Sequence, residues 1–310
     1  MTELFRVVQP GILTTVQDIG RPQAVAAGVQ PGGAMDRFAH VSANLLVDND
    51  RSLATLECTL TGPRLVAEHA CMIAITGADL GPTINGVAAP MWTSVQMGPG
   101  DELAFGPRRS GARAYIAVAG GVLGDRWLGS LSTNLMCARG GMHGRALVAG
   151  DMIAAGETWA QPASGRVLGD DHRPAYDDHT LRVVRGPHFT RLTAESQRAF
   201  WEGAFSINPN SNRMGYRLDG PHLQAPGEEL LSFSLVAGVI QLPAGGQPIL
   251  LMADHQTAGG YPVIATVCSA SMPVAAQLAP GEDLRLVETS IEDALRARAA
   301  QRAALDSLTS

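Results

Sequence analysis

Lysine is absent from this sequence of 310 residues, and all 23 basic residues are arginine. Several kinds of site depend on a lysine: the phosphate-binding P-loop, the protein-kinase ATP site, Schiff-base catalysis and the Ser-Ser-Lys centre of amidases. Biotin is also carried on a lysine. This chain can therefore form none of these sites by itself, and a lysine-dependent ATP site or a covalently carried group has to come from another polypeptide.

Basic runs and long apolar runs are scarce as well. The formal net charge is -6, and no run of five basic residues occurs, which disfavours binding to nucleic acids or to acidic membranes. No stretch approaches the roughly 20 apolar residues of a membrane span, and residues 1–6 lack the pattern of a signal peptide. We therefore expect a cytoplasmic protein.

Cysteine and histidine pairs at metal-ligand spacing are missing too, because the sequence has no Cys-x-x-Cys and no His-x-x-x-His. The four cysteines are widely spaced in apolar surroundings, which is typical of buried thiols: Cys58, Cys71, Cys137 and Cys268. We expect no metal site.

Short apolar runs between turns dominate the sequence, with 35 glycines and 19 prolines spread evenly along it. Residues 71–75, 114–119, 181–184 and 248–252 are examples. This pattern predicts a mainly β protein with minor α content, of sandwich or barrel type. Helical spacing is limited to residues 36–46 with Asp36 as N-cap, residues 194–200 after Thr193, and about 291–304.

The length exceeds that of one compact core, which predicts two domains. An apolar strand followed by a glycine-acidic turn into a second strand occurs at residues 116–153 and again at 249–284, a weak internal repeat. Residues 160–179 are rich in proline, glycine and aspartate and indicate a linker. We therefore predict an N-terminal β-barrel unit over 1–165 with one helix, and a C-terminal unit over 166–310 with the last helix.

Two N-terminal motifs have both a functional and a structural interpretation. In residues 14–21, Asp18 and Arg21 could pair across the turn at Gly20, either as part of a site or as a structural salt bridge. Residues 30–36 form a glycine turn that opens into the first helix. Backbone N–H groups there favour an anion, although such a turn is also common as plain geometry.

Two C-terminal motifs carry more chemistry. Residues 208–218 hold three asparagines around Arg213, a set that suits a planar urea, amide or carboxylate group but also an ordinary Asx-rich loop. Residues 250–262 run from an apolar strand into Asp254, His255 and Gln256, and rigid strand ends commonly present active-site groups. Asp254 could act as a base, and Gln256 offers a donor and an acceptor. For His255 taken alone, an incidental surface or satisfied histidine is favoured over a catalytic one.

Taken in order, these segments resemble the family called allophanate hydrolase subunit 2, the C subunit of 5-oxoprolinase, or biotin-dependent carboxyltransferase-like proteins. The matching segments are residues 14–21, 32–36, 44–47, 117–121, 128–133, 212–218 and 254–262. This sequence departs from the family pattern at Ala258, where a second threonine is usual, at Gly32, where serine is usual, and at His255, where relatives often carry arginine.

The resemblance implies two tandem cyclophilin-like β-barrel units and a hydrolase for C–N amide bonds. The hydrolase would be active only with a partner of the allophanate hydrolase subunit 1 type, which is the B subunit of 5-oxoprolinase. The resemblance implies ATP-dependent opening of 5-oxoproline to glutamate. One alternative is a carboxyltransferase that passes carboxylate from carboxybiotin to urea or a related amide. Another is a regulatory subunit of a kinase-inhibitor complex. No cofactor would be attached to this chain, and ATP or carboxybiotin would come with another subunit.

The resulting hypothesis places one planar N–C=O group in a pocket of this chain. Asp254, Arg213 and Gln256 are the predicted catalytic residues. The predicted substrate-binding residues are drawn from the same two C-terminal motifs and from the N-terminal one: Asn212, Tyr216, His255, Thr257, Tyr261, Gln17, Asp18 and Arg21.

Overall fold

The computed structural model describes residues 2–157, 164–228 and 230–309, so residues 160–163 of the predicted linker lie outside the described residues. The chain divides into two compact units. The first unit comprises the residues up to Arg21, Gly32–Arg173, and the residues from Ala303 on. The second unit comprises Pro22–Pro31 and Pro174–Arg302. A short N-terminal segment thus belongs to the second unit.

The described residues of the first unit include two β-sheets and the first helix. Its strands are β1 (Thr2–Gln9), β2 (Leu13–Gln17), β3 (Thr55–Thr59), β4 (Arg64–Ala67), β5 (Cys71–Asp79), β6 (Pro82–Ile84), β7 (Val87–Ala88), β8 (Ser94–Met97), β9 (Glu102–Phe105), β10 (Ser110–Val118) and β11 (Met152–Ala155). One sheet has the order β11-β1-β4-β9-β6-β7, and the other has the order β2-β3-β10-β5-β8.

Helix α1 (Arg37–Leu46) covers part of the second of these sheets, where it packs against β5 and β10. Asp36 caps it by accepting a hydrogen bond from the backbone N–H of Ala39 at 2.9 Å, as its sequence position predicts. Because the two central strands are apolar along most of their length and α1 buries its own apolar stripe on them, this part of the sheet is enclosed on both faces.

The second unit contains a closed barrel. Its strands are β12 (Thr180–Arg185), β13 (Phe205–Ile207), β14 (Gly215–Asp219), β15 (Phe233–Ser234), β16 (Val239–Gln241), β17 (Ile249–Leu251), β18 (Ala258–Gly259), β19 (Val263–Val267) and β20 (Asp283–Glu288). The barrel order is β12-β19-β16-β17-β14-β13-β20, and β15 pairs with β18 in a separate two-stranded ribbon. Three helices follow strands of this half: α2 (Ala194–Glu202), α3 (Met272–Gln277) and α4 (Ile291–Asp306).

The mainly β class with few helices is confirmed, and so are the three predicted helices. Thr193 caps α2 by accepting from the N–H of Ser196. Helix α3 was not predicted, because it is a six-residue helix with a proline in its first turn and almost no exposed face to give a period. Short 3-10 turns lie at Pro22–Ala27, Asp170–His172 and Phe189–Arg191.

The prediction of buried thiols is correct for three cysteines and wrong for Cys137, which is exposed in a loop of the first unit. Burial raises the pKa of the thiols of Cys58 and Cys71 to about 12. Within the described ranges, no three His, Cys, Asp or Glu side chains converge on a position for a metal ion. In the same part of the chain, no helix has the length and apolar character needed to cross a bilayer.

Candidate functional site

Arg213 and Asp254 are brought together by the barrel, although 41 positions separate them in the sequence. Strands β14 and β17 are antiparallel neighbours, with Gly215 opposite Leu251. The ladder continues beyond the strand ends, since the N–H of Met252 donates to the carbonyl of Met214 and the N–H of Asp254 donates to that of Arg213. The segment just before β14 therefore lies beside the residues that follow β17.

The two side chains form a buried ion pair. Nε of Arg213 donates to Oδ2 of Asp254 at 2.8 Å, and Nη2 donates to Oδ1 at 3.0 Å. The side chains are only 8% and 11% exposed. Such a two-point contact fixes both planar groups. One edge of the guanidinium is thus occupied by Asp254, so holding this carboxylate is one role of Arg213.

The segment that follows Asp254 is fixed by hydrogen bonds of its own. Nδ1 of His255 lies 2.7 Å from the carbonyl oxygen of Gln256, and because a carbonyl only accepts, Nδ1 carries the proton. Burial lowers the pKa of His255, which favours the neutral ring. Nε2 of Gln256 donates to Oε1 of Gln241 at 3.0 Å, and the carbonyl of Thr257 accepts from the N–H of Leu235.

The remaining predicted residues of the second unit differ in exposure. Tyr216 is buried within β14, whereas Tyr261 is half exposed. Oδ1 of Asn212 accepts from the N–H of Met214, and Oδ1 of Asn208 accepts from the N–H of Asn210. These asparagines therefore shape the turn in front of Arg213, as the Asx-loop interpretation expected.

The N-terminal segment of this unit also contacts the backbone of Asp254. Nε2 of Gln30 donates to the carbonyl oxygen of Asp254 at 2.6 Å. Gln30 opens the glycine turn for which the sequence suggested anion binding, and its side chain instead binds a backbone group at the end of β17. The contact helps to fix the position of Asp254.

In the first unit, Asp18 accepts hydrogen bonds from a segment more than a hundred residues away. Its carboxylate accepts from the hydroxyls of Ser130 and Ser132 and from the N–H of Leu131, each at 2.6 Å, and from the N–H of Gly20 at 2.7 Å. Burial by itself raises the pKa of Asp18, but these hydrogen bonds outweigh it and the pKa is lowered. Asp18 is therefore ionised and held as a structural anchor.

Arg21 and Gln17 lie in the same buried region of the first unit. The guanidinium of Arg21 donates to the carbonyl of Ser132 and lies 4.8 Å from the ring centre of Trp127, a cation–π contact. Nε2 of Gln17 donates to the hydroxyl of Thr15 at 3.0 Å. The three predicted N-terminal site residues thus belong to the first unit, while the other eight belong to the second.

The turn before α1 binds a carboxylate of the protein itself. Oε2 of Glu57 accepts from the N–H of Met35 at 2.8 Å and from the hydroxyl of Tyr115 at 2.7 Å. The N–H of Asp36 in turn donates to the hydroxyl of Tyr115 at 2.8 Å. A carboxylate does accept from one backbone donor at this helix start, but it comes from β3, which sequence spacing could not reveal.

Two buried residues of potential interest were not predicted. His40 lies on α1 with Nδ1 at 2.9 Å from the hydroxyl of Thr55, and burial lowers the pKa of its ring to about 4. Gln241 ends the barrel strand β16, is 1% exposed and contacts Gln256. A polar residue between Ile240 and Leu242 in an otherwise apolar strand was the signal that could have identified Gln241.

Comparison with known proteins places this chain among enzymes and enzyme subunits. The family model described as "Carboxyltransferase domain, subdomain A and B" matches residues 27–288. The chain is 37% identical over 302 residues to the C subunit of 5-oxoprolinase from Escherichia coli K12, covering 96% of both chains. It is 31% identical to the urea amidolyase of Lachancea kluyveri, covering 98% of this chain but 18% of that protein.

A solved structure shares the fold. The K. lactis urea amidolyase superposes with a TM-score of 0.92 at 28% identity, over 99% of this chain and 20% of that one. These matches confirm the family resemblance that the ordered motifs predicted. The chain belongs to the family of the carboxyltransferase domain, subdomain A and B.

Proposed function

We propose that this chain is the C subunit of a multi-subunit enzyme that opens the lactam ring of 5-oxoproline, with ATP, to give glutamate. The observation that carries the proposal is the 37% identity to the C subunit of a 5-oxoprolinase across 96% of both chains. The relatives named for urea enzymes are matched over only about a fifth of their length. The 5-oxoprolinase relative therefore resembles this chain in extent as well as in sequence.

The second unit offers suitable groups for this chemistry. Ring opening breaks the amide C–N bond and adds water to the carbonyl carbon, so negative charge develops on the amide oxygen and the nitrogen has to gain a proton. Fixed hydrogen-bond donors stabilise such charge, by about 3 kcal/mol for one well-placed donor. In the proposal, Gln256 binds the substrate amide. Asp254, held as a carboxylate by Arg213, takes a proton from the attacking water and passes it to the leaving nitrogen.

The proposal assigns the ATP site to another polypeptide of the complex. The chain has no lysine for a P-loop or kinase-type phosphate site. The E. coli relative is itself named as a subunit, which supports a larger assembly. We propose a protein of the 5-oxoprolinase B-subunit type as the direct partner.

One specific observation favours a second candidate function, biotin-dependent carboxyl transfer to urea or a related amide. The family model is described as a carboxyltransferase domain, and the fold superposes on a urea amidolyase with a TM-score of 0.92. In this case a separate carrier would supply carboxybiotin, because no lysine is available here to carry biotin. Both functions act on a planar N–C=O group.

Co-expression with partner proteins of the other 5-oxoprolinase subunit types, followed by an ATPase assay with 5-oxoproline or urea, tests the proposal. We expect ATP hydrolysis that depends on 5-oxoproline and yields one glutamate per ATP. Hydrolysis that responds to urea only when biotin carboxylase and carrier are added would favour the second function. No response to 5-oxoproline in a correctly assembled complex would contradict the first.

Two variants test the assignment of Asp254. We expect Asp254→Asn to remove turnover, because the carboxamide of asparagine cannot accept a proton as the carboxylate does. Glu288→Gln is the matched control, since Glu288 forms an exposed ion pair with Arg185 in the same barrel. Equal activity of the two variants would defeat the assignment while leaving the family membership intact.

A further inference from the structure

A buried carboxamide in the barrel has a donor without an acceptor. Gln241 is 1% exposed, and across the described part of the chain its Nε2 meets no hydrogen-bond acceptor. A buried polar group without a partner costs about 1–3 kcal/mol, so most such groups in native proteins are bonded to the protein, to water or to a ligand. We therefore expect Nε2 of Gln241 to donate to water or to a ligand.

The orientation of this amide is fixed by its neighbour. Oε1 of Gln241 accepts from Nε2 of Gln256 at 3.0 Å, so the NH₂ group of Gln241 points away from that bond. Because Nε2 of Gln256 donates in this bond, Oε1 of Gln256 is left as its acceptor. Each carboxamide has two donors and one carbonyl acceptor, and this single contact satisfies only part of both.

The space beside the donor is bordered by a glycine. A β-carbon on Gly259 would lie 3.3 Å from Nε2 of Gln241, 3.7 Å from Nε2 of Gln256 and 3.0 Å from Cδ1 of Leu235. Gly259 belongs to β18, which pairs with β15 in the two-stranded ribbon, and Gly259 lies opposite Phe233. With glycine at this position, no side chain crowds the two amides from this side.

We infer that Gln241 and Gln256 together bind the edge of a small amide whose C=O and N–H lie side by side. The buried NH₂ of Gln241 donates to the ligand carbonyl oxygen, and Oε1 of Gln256 accepts from the ligand N–H. A five-membered lactam holds its amide in the cis form and so presents both groups on one edge, as urea and primary amides also do. An extended secondary amide is trans and does not. The inference rests on the proposed function for its natural substrate, and it names Gln241 as a substrate-binding residue.

Direct binding to the full chain tests the inference without turnover. Isothermal titration with pyrrolidin-2-one, N-methylpyrrolidin-2-one and urea separates the two contacts, because only the N-methyl compound lacks the amide N–H. We expect pyrrolidin-2-one to bind about 10-fold more tightly than its N-methyl derivative, which corresponds to the loss of one hydrogen bond. Equal affinity for the two lactams, or no binding of any of the three, would overturn the inference.

Two variants address Gln241 itself. Gln241→Met keeps the size of the side chain but removes the donor, and we expect at least about a 10-fold loss of lactam affinity with an unchanged unfolding temperature. Gly259→Ala keeps both amides and places a methyl group beside the donor, and it should also weaken binding. Gln197→Met is the control, because Nε2 of Gln197 donates to the carbonyl of Leu192 on another part of the unit. Unchanged affinity in both test variants would contradict the assignment.

Kinetics of the reconstituted complex distinguish this inference from the proposed function. If the complex opens 5-oxoproline, Gln241→Met should raise KM by about 10-fold or more and lower kcat less, as expected for a residue that binds the substrate. An unchanged KM would refute the role of Gln241 while the proposed function stands. If the complex does not act on 5-oxoproline, the proposed function fails, and the titrations with pyrrolidin-2-one and urea still decide the inference.

Discussion

The Arg213–Asp254 ion pair allows a prediction that separates stability from catalysis. Both side chains are nearly buried and are joined by hydrogen bonds of 2.8 and 3.0 Å. Removing one partner of a buried pair leaves an uncompensated charge, which typically costs about 3–5 kcal/mol. We therefore expect Arg213→Met and Asp254→Leu to lower the free energy of unfolding by about 3–5 kcal/mol each.

The double variant should lose less free energy of unfolding than the two single variants together. With both charges gone, apolar side chains of similar volume fill the position, and such replacements of buried pairs are often neutral or stabilising. We expect the Arg213→Met/Asp254→Leu variant to lie within about 2 kcal/mol of the unsubstituted chain. The coupling energy between the two positions is then about 4 kcal/mol or more. Its activity in the complex should nevertheless be lost.

Urea unfolding followed by far-UV circular dichroism measures these free energies. The control pair is Arg185 and Glu288, whose side chains are 52% and 46% exposed, so that its loss should cost at most about 1 kcal/mol. The reasoning is refuted if the single variants of the buried pair cost no more than this control. It is also refuted if the double variant loses the full sum of the two single losses.

Three further predictions concern the first unit. The pKa of His40 is about 4 in the folded chain and near 6.5 when unfolded, so the unfolded chain binds the proton first. The contribution of His40 to the free energy of unfolding should be complete above pH 6.5 and fall by about 3 kcal/mol between pH 6.5 and 4. Urea unfolding across that range measures this dependence, and His40→Asn should remove most of it. Asp18→Ala leaves four hydrogen-bond donors without their acceptor. We expect it to lower the free energy of unfolding by about 3 kcal/mol or more in the same assay, and a loss below about 1 kcal/mol would contradict the anchoring role. Cys137 is exposed, whereas the other three cysteines are buried. A thiol reagent should therefore label one cysteine quickly in the folded protein and four after unfolding. Two or more cysteines that react quickly in the folded protein would contradict the described burial.

Local chemistry was sufficient to predict the helices. Asp36 and Thr193 each precede a stripe of apolar residues, and both act as N-caps by accepting from the N–H three residues later. The mainly β class followed from short apolar runs between glycine and proline turns. In each case the controlling interaction joins residues close together in the sequence.

Long-range pairings account for most of what the sequence did not reveal. Arg213 and Asp254 were predicted to share one pocket, but their direct ion pair depends on β14 and β17 being neighbours in the barrel, which spacing alone does not determine. The sequence suggested that Asp18 could pair with Arg21 across its own turn, and its observed partners include two serines of a distant loop. Glu57, from β3, accepts from the N–H of Met35 in the turn for which an external anion was considered.

Composition misled the prediction where a residue's exposure depends on the path of a loop. Cys137 follows Met136 and Leu135, an apolar neighbourhood that suggested burial, but all three are exposed. Gln241 was overlooked although it interrupts an apolar strand, because that signal is weak until the structure shows that its Nε2 meets no acceptor among the described residues. The sequence also gives no sign that residues 22–31 belong to the second unit.

The most direct test of the account is the fate of the lactam itself. When ¹³C-labelled 5-oxoproline is incubated with ATP and the reconstituted complex, we expect carbon NMR to show glutamate. The same complex with Asp254→Asn in this chain, or without this chain, should leave the label in the ring. Formation of glutamate at an equal rate in either of those two samples would contradict the assignment of this chain as the component of the complex that acts on the amide.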